Sequence, residues 1–329
     1  MKAELERRKA EGLHGGMQFT FRNPERSTNV RHAFGSASSL IVGAYDYQRE
    51  TPPKPSGTVG RVASYSWEDY YASLRDGLEA IADSLREAGF RALVLADQNH
   101  LVDRAAAYRA GIGWWGKSSN ILLPGIGSLV VLGAVVTDAE IAADHDRPVE
   151  DGCSNCSQCL SGCPTGAIIE PGVVDARRCL AWLVQAEGIF PTEFRSALGD
   201  RLYGCDDCQD VCPPNRIRQR RPAEVGADQA WIDVLDLLAA DDQQLLDRLG
   251  RWYIPNRDPD YLRRNALLVV ANIATPTPAV VATVNRYLNH PRAMLRAHAV
   301  WAAQTLGIPV PDDLRNDPSP DVRNELAEA

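Results

Sequence analysis

The chain has 329 residues, 45% hydrophobic and 24% charged, a composition that suits a folded protein of two or three domains. A formal net charge of −8 and a pI near 5.3 exclude a uniformly basic surface, so a nucleic-acid contact would need a local patch. The opening MKAELERRKAEG is charged and lacks an apolar run, which excludes a secretory signal and points to a cytoplasmic protein.

In chain order, Met1 already falls in a helical stretch. Residues 1–150 then alternate strand-like runs (SSLIVGAYDY, RALVLAD, SLVVLGAVVTD) with helical ones (WEDYYASLRDGLEAIADSLREAG, LVDRAAAYRAG), the texture of an α/β domain. The first helical run is expected to bury Tyr71, Leu74, Leu78, Ile81 and Leu85 on one face and to stop at Gly89. Residues 118–137 carry no charge, but Pro124, Gly125, Gly127 and Gly133 interrupt them. Two buried strands joined by a Pro-Gly turn fit that pattern better than a membrane span.

Just before it, GIGWWGKS at 111–118 satisfies the phosphate-loop formula letter for letter. A phosphate loop needs a strand before it and a helix after it, so that helix-start amides face the phosphates. Here the expected order is helix, then strand, which argues against nucleotide hydrolysis.

Residues 151–222 hold all eight cysteines, around a segment, DARRCLAWLVQAEGIF, that reads as one long helix. Cys153, Cys156, Cys159 and Cys163 with Pro164 form C-x2-C-x2-C-x3-C-P, the bacterial ferredoxin run, in which the fourth thiolate serves the neighbouring cluster. Cys205, Cys208, Cys212 and Pro213 repeat it one cysteine short, and Cys179 makes up the number. The crossover places one [4Fe–4S] cluster on Cys153, Cys156, Cys159 and Cys212 and a second on Cys163, Cys179, Cys205 and Cys208. Paired structural zinc sites are the alternative, although they seldom use this spacing. Just beyond, Arg216, Arg218, Arg220 and Arg221 offer a basic patch for RNA phosphates, or a solvated charge run.

Residues 223–329 read as all helix. Arg263, Arg296 and Arg323 mark a recurring apolar-Arg step in YLRRNALLVVANI, AMLRAHAVWAAQTL and PDVRNELAEA, which suggests a short HEAT-like helical repeat, with an ordinary bundle as the alternative. These arginines are expected to pair with nearby aspartates.

The segment ADQNHLVDRAAAYRAGIGWWGKSSNILL, with SYSWEDYY, CPTGAI, RRCLAWLVQ and YGCDDCQDVCP, resembles the epoxyqueuosine reductases along nearly the whole chain. The resemblance implies a cobalamin-binding α/β domain, a ferredoxin-like module with two [4Fe–4S] clusters and a helical tail. It also implies reduction of epoxyqueuosine to queuosine at the wobble position of tRNA, with electrons from an external low-potential donor and a monomeric enzyme. By the same resemblance Asp97 is the proton donor, where an ordinary reading makes it a helix cap. Arg26, Asp97, Lys117, Ser118, Ala181 and Gln185 are implied corrin contacts, the last two on the helix expected to carry Cys179.

The chain departs from the family pattern in three places. It begins late against the family's usual upstream strand–helix segment, so that either the start is set too far downstream or the first element is missing. The acid motif reads DQNH, so that His100 could share the acid role, and SYSWEDYY ends in Tyr71 where histidine is common. A corrin reductase of small molecules, akin to reductive dehalogenases, and a ferredoxin-like electron carrier are the competing functions.

Overall fold

The computed structural model describes residues 1–144, 149–222 and 225–327. Two compact units emerge, each assembled from separated stretches of chain. The first comprises Met1–Glu50, Glu68–Cys179 and Asp206–Pro222; the second comprises Thr51–Trp67, Leu180–Cys205 and Ala223–Ala329.

The first unit is built on a three-stranded sheet. Its central strand, Val130–Thr137, runs antiparallel to Ser39–Asp46 on one side and to Ala92–Ala96 on the other. Alternating strands and helices usually yield parallel neighbours. Here the strand latest in sequence lies between the two earlier ones and opposes both. The long helix Tyr70–Glu87 starts at Asp69, whose carboxylate accepts the Ala72 amide at 3.0 Å.

Tyr70, Leu74, Leu78 and Ala82 form the buried row of this helix, whereas Tyr71 is half-buried and Ile81 is 40% exposed. The expected stripe is therefore corrected by one residue at its start. Its seat explains the shift. Gly43 and Gly133 face each other across the ladder, and a Cβ on either would lie 2.9 Å or 3.0 Å from a Leu78 methyl. Bare backbone lets the Leu74–Leu78 row settle against the sheet.

The uncharged stretch forms strands Ile121–Leu122 and Val130–Thr137, with a bridge between Leu123 and Gly127 at the turn. Among the described residues no helix is long and apolar enough to cross a membrane.

The segment expected to be one long helix is not one. A 3-10 turn spans Ala176–Arg178, Cys179 is extended at φ −79° and ψ 116°, and a single helical turn covers Leu180–Leu183. Asp175 accepts the Arg177 amide and closes the first turn. In the second unit, fully buried Arg264 donates to the carbonyls of Leu183, Ala186 and Gly188, and Asn265 donates to that of Val184. These side chains take carbonyls that further α-helical turns would use, and the segment runs on in tighter turns, Gln185 to the Trp182 carbonyl at 2.8 Å and Ala186 to that of Leu183 at 3.4 Å.

The rest of the second unit sets strand Val59–Val62 parallel to Arg201–Tyr203 and antiparallel to Trp231–Asp233. Helix Asp260–Ile273 is almost wholly buried and packs on Ala293–Leu306, which also meets Pro278–Leu288 and Pro320–Ala327. As expected, Arg263 pairs with Asp242 at 2.6 Å and Asp260 at 2.8 Å, and Arg296 pairs with Asp317 at 2.8 Å. Arg323 instead donates to the Asp317 carbonyl at 2.5 Å.

Candidate functional site

The eight cysteines form no disulfides among the described residues, and each is half-buried. Burial pushes the Cys212 thiol up to about 11, and the neighbouring Cys153, Cys159 and Cys156 reinforce the shift. Cys159 is raised in the same way by burial, Cys153 and Cys156. Both shifts mark thiols whose ionisation is opposed by their neighbours; among the described residues no three His, Cys, Asp or Glu side chains are grouped so as to hold a single metal ion. The turns Gln158–Ser161 and Asp207–Asp210 pack on one another, which brings the two cysteine runs side by side within the first unit.

Cys163 behaves differently. Burial is the largest influence and opposes ionisation, yet amides outweigh it and lower the thiol's pKa. The Ala167 amide lies 3.2 Å from its sulfur, and the Thr165 hydroxyl lies 3.7 Å away. Amides aimed at a sulfur favour the thiolate, the form that ligates metal. Cys163, Cys179 and Cys208 fall in the first unit and Cys205 in the second.

The phosphate-loop look-alike has the order its sequence implied. Helix Asp103–Arg109 precedes it, and strand Trp114–Trp115 pairs antiparallel with Ile121–Leu122. Gly113 and Gly116 lie against the returning strand, where a Cβ would collide with Leu122. Lys117 is at the tip of this hairpin. Its ammonium donates to the carbonyl of Ser154 at 2.6 Å and that of Cys156 at 2.9 Å, inside the first cysteine run. Ser118 is buried, and its hydroxyl meets the Asn120 side chain at 3.4 Å.

Asp97 ends the Ala92–Ala96 strand at φ 55°, a left-handed conformation that aspartate tolerates better than most residues. It does not cap the next helix, because Val102 occupies the cap position of Asp103–Arg109. Its side chain reaches solvent, yet the surrounding protein still raises its pKa, with Asp69 adding to the shift and Arg75 opposing it.

Two further groups belong to this cluster. Asp103 is pushed up to about 7 by burial and then by the charge of Asp97, with Arg104 opposing. Tyr71 is raised by burial, Asp97 and Asp103, so it keeps its proton. The charge of Asp97 thus favours the protonated forms of both Asp103 and Tyr71. Asp103 escaped the sequence reading because an acidic first residue of a helix usually signals only its dipole. The proximity to Asp97 that changes its meaning is a tertiary fact.

Arg26 is exposed and meets His100, its Nε donating to Nδ1 at 3.3 Å. Ala181 is half-buried in the short Leu180–Leu183 turn, and Gln185 lies beyond that turn with its amide 3.4 Å from the Tyr65 hydroxyl. The two therefore do not share one face of a long helix with Cys179. In the arginine run, Arg218 and Arg221 both pair with Asp46, at 2.6 and 2.9 Å, and Arg220 approaches Asp210 at 3.4 Å. Arg216 is exposed and has no side-chain partner among the described residues.

A buried polar network also stands behind the second cysteine run. The Asn215 side chain accepts from the Ser128 amide at 2.8 Å and donates to the Ser128 hydroxyl at 3.0 Å and the Gln209 carbonyl at 2.8 Å. Gln48 donates to the Asn215 carbonyl at 2.6 Å. Away from these groups, a recess of 430 Å³ runs between Ser38–Val42 and Leu101–Ile112; none of the candidate site residues lines it.

A family model described as a 4Fe-4S double cluster binding domain matches residues 152–215. Epoxyqueuosine reductase of Bacillus anthracis is 33% identical over 318 residues, covering 92% of this chain and 82% of its own. Its counterpart in Bacillus subtilis strain 168 is 34% identical over 297 residues, covering 87% and 76%. Among solved structures, a crystal structure of an epoxyqueuosine reductase with an epoxyqueuosine-modified tRNA-Tyr stem loop superposes with a TM-score of 0.90 at 30% identity. That likeness covers 99% of this chain and 90% of the other.

Proposed function

Since the chain belongs to the epoxyqueuosine reductase family, we infer that it reduces epoxyqueuosine in tRNA to queuosine. The balance of that reaction is two electrons and two protons taken up, two C–O bonds broken, an alkene formed and water released. Two [4Fe–4S] clusters fit the double-cluster segment. One is assigned to Cys153, Cys156, Cys159 and Cys212, the other to Cys163, Cys179, Cys205 and Cys208. When bound, cobalamin would supply a strongly reducing, nucleophilic metal centre, and the clusters would supply its electrons.

The residues of this chain handle the proton. Asp97 is the proposed donor to the departing oxygen. The observation that carries this reading is a carboxyl with a raised pKa on a left-handed turn at a strand end, in the same unit as the thiols of the first cluster. Asp103, whose pKa near 7 leaves it substantially protonated at neutral pH, stands beside Asp97 to return its proton. Tyr71 holds its own proton throughout. Arg26, Asp97, Ser118, Ala181 and Gln185 remain the proposed corrin contacts. Lys117 is reassigned, because its ammonium is engaged by the cysteine loop.

For the tRNA, Arg216 is the proposed leading phosphate contact, followed by Arg220. Arg218 and Arg221 act by bracing the loop against Asp46. The proposed arrangement is an α/β cobalamin domain over 1–150, a two-cluster module over 151–222 and a HEAT-like tail over 223–329. A monomer in the cytoplasm, reduced by an external low-potential donor, completes the reading.

The test is anaerobic purification with added cobalamin, then turnover of tRNA carrying epoxyqueuosine. Asp97→Asn should retain iron and the corrin absorption spectrum while turnover falls about 10²–10⁴-fold. Normal turnover by that variant would remove Asp97 as the acid. Corrin binding without any turnover of the tRNA by the wild-type protein would point to a small-molecule substrate.

A further inference from the structure

The GIGWWGKS hairpin leaves a lysine without the phosphate its sequence advertises, and the structure shows what it meets instead. The Lys117 ammonium lies 2.6 Å from the Ser154 carbonyl oxygen and 2.9 Å from that of Cys156. The first carbonyl lies between Cys153 and Cys156 and the second directly follows Cys156, and Ser154 takes a left-handed φ of 43°. The lysine is not free to wander. Gly116 donates to the Asn120 carbonyl at 2.8 Å and Ser119 to that of Gly116 at 2.9 Å, closing the hairpin tip. Gly172 donates to the Lys117 carbonyl at 2.9 Å. On the same hairpin the Trp114 ring packs on Gly152, next to Cys153, where a Cβ would stand 2.8 Å from the ring.

We propose that Lys117 is a positioning residue that raises the reduction potential of the cluster ligated by Cys153, Cys156 and Cys159. The proposal rests on the assignment of these thiols to a [4Fe–4S] cluster. A cluster that accepts one electron becomes more negative by one charge, and a fixed cation beside it stabilises the reduced form. The ammonium also opposes two carbonyl dipoles at the ligand loop. Lys117 is half-buried, so salt screens it less than a surface charge. The Asp151 carboxylate accepts the Cys153 amide at 2.8 Å, an opposing charge at the same loop that limits the gain.

The experiment compares wild-type, Lys117→Arg, Lys117→Gln and Lys117→Met proteins purified anaerobically. Iron and sulfide are counted, and redox titrations are followed by electron paramagnetic resonance. Cys156→Ala identifies which of the two signals belongs to this loop. In the Gln and Met variants that signal should titrate at a more negative potential, while the other keeps its wild-type value. The Arg variant should restore the first. Gln retains a donor for the carbonyls without the charge, which separates electrostatics from loop anchoring. An unmoved potential in a fully loaded Gln variant overturns the proposal, as does an equal shift of both signals. Loss of the cluster from both neutral variants would make Lys117 an assembly element and also overturn it. Wild-type protein without iron would instead refute the cluster assignment itself.

Discussion

Replacing Asn215 with leucine tests whether the second cysteine run is held in place by the sheet unit or by metal alone. Asn215 is fully buried, and its amide makes three side-chain hydrogen bonds, two with Ser128 and one with the Gln209 carbonyl. Leucine keeps most of the volume but strands the Ser128 amide away from water, while the Gln209 carbonyl keeps the Cys212 amide at 3.1 Å. The stranded amide should cost about 1–3 kcal/mol. Leucine also sets a methyl where the amide oxygen now approaches Gly127, whose φ of 95° and missing side chain make room for it. That crowding adds to the loss. Cys212 lies three residues upstream and begins the Pro213–Ile217 turn, so slackening Asn215 loosens one proposed ligand of the first cluster. Urea unfolding of the anaerobically loaded protein should show the destabilisation, and iron should fall from about eight per chain toward four. A loss below about 1 kcal/mol with iron fully retained would refute the reasoning, since the network would then be incidental to the ligand loop.

The second unit supplies two further tests. His298 is fully buried, accepts the Phe190 amide on Nε2 at 3.1 Å and meets the Met294 carbonyl through Nδ1 at 2.7 Å, as a neutral ring does. Burial, with Arg195 and Arg264 nearby, holds its pKa well below 6.5. Below that pH the unfolded chain binds a proton here that the folded chain refuses, so stability falls on acidification, by up to about 1.4 kcal/mol per pH unit. His298→Gln should remove this component from a stability–pH curve, and an unchanged slope would contradict a neutral buried ring. Arg264→Met should destabilise the protein by about 3 kcal/mol or more, because the carbonyls of Leu183, Ala186 and Gly188 lose their donor. Thermal unfolding would register it, and a near-neutral effect would mean that the segment after Cys179 finds other partners.

Much of the chemistry was written in one dimension. Thiolate spacing is a local property, since three cysteines at two-residue intervals can reach three iron corners of one cube whatever lies around them, and Cys-Pro turns the chain away. The helix-then-strand order around GIGWWGKS was equally local, and it disposed of the phosphate loop. What the linear pattern did not contain was who meets whom. Hydrophobic periodicity placed Tyr71 and Ile81 on the buried stripe, but the paired Gly43 and Gly133 beneath the helix turned Tyr70 and Ala82 inward instead. The apolar run after Cys179 looked helical until Arg264 and Asn265, some eighty residues away, took its carbonyls. Asp103 joined Asp97, Lys117 left the imagined phosphate for a cysteine loop, and two of the four arginines turned to Asp46. Ligand identity thus follows from residue type and spacing. Protonation state, local charge and the direction of a side chain depend on burial and on neighbours distant in sequence, which only the folded chain brings together.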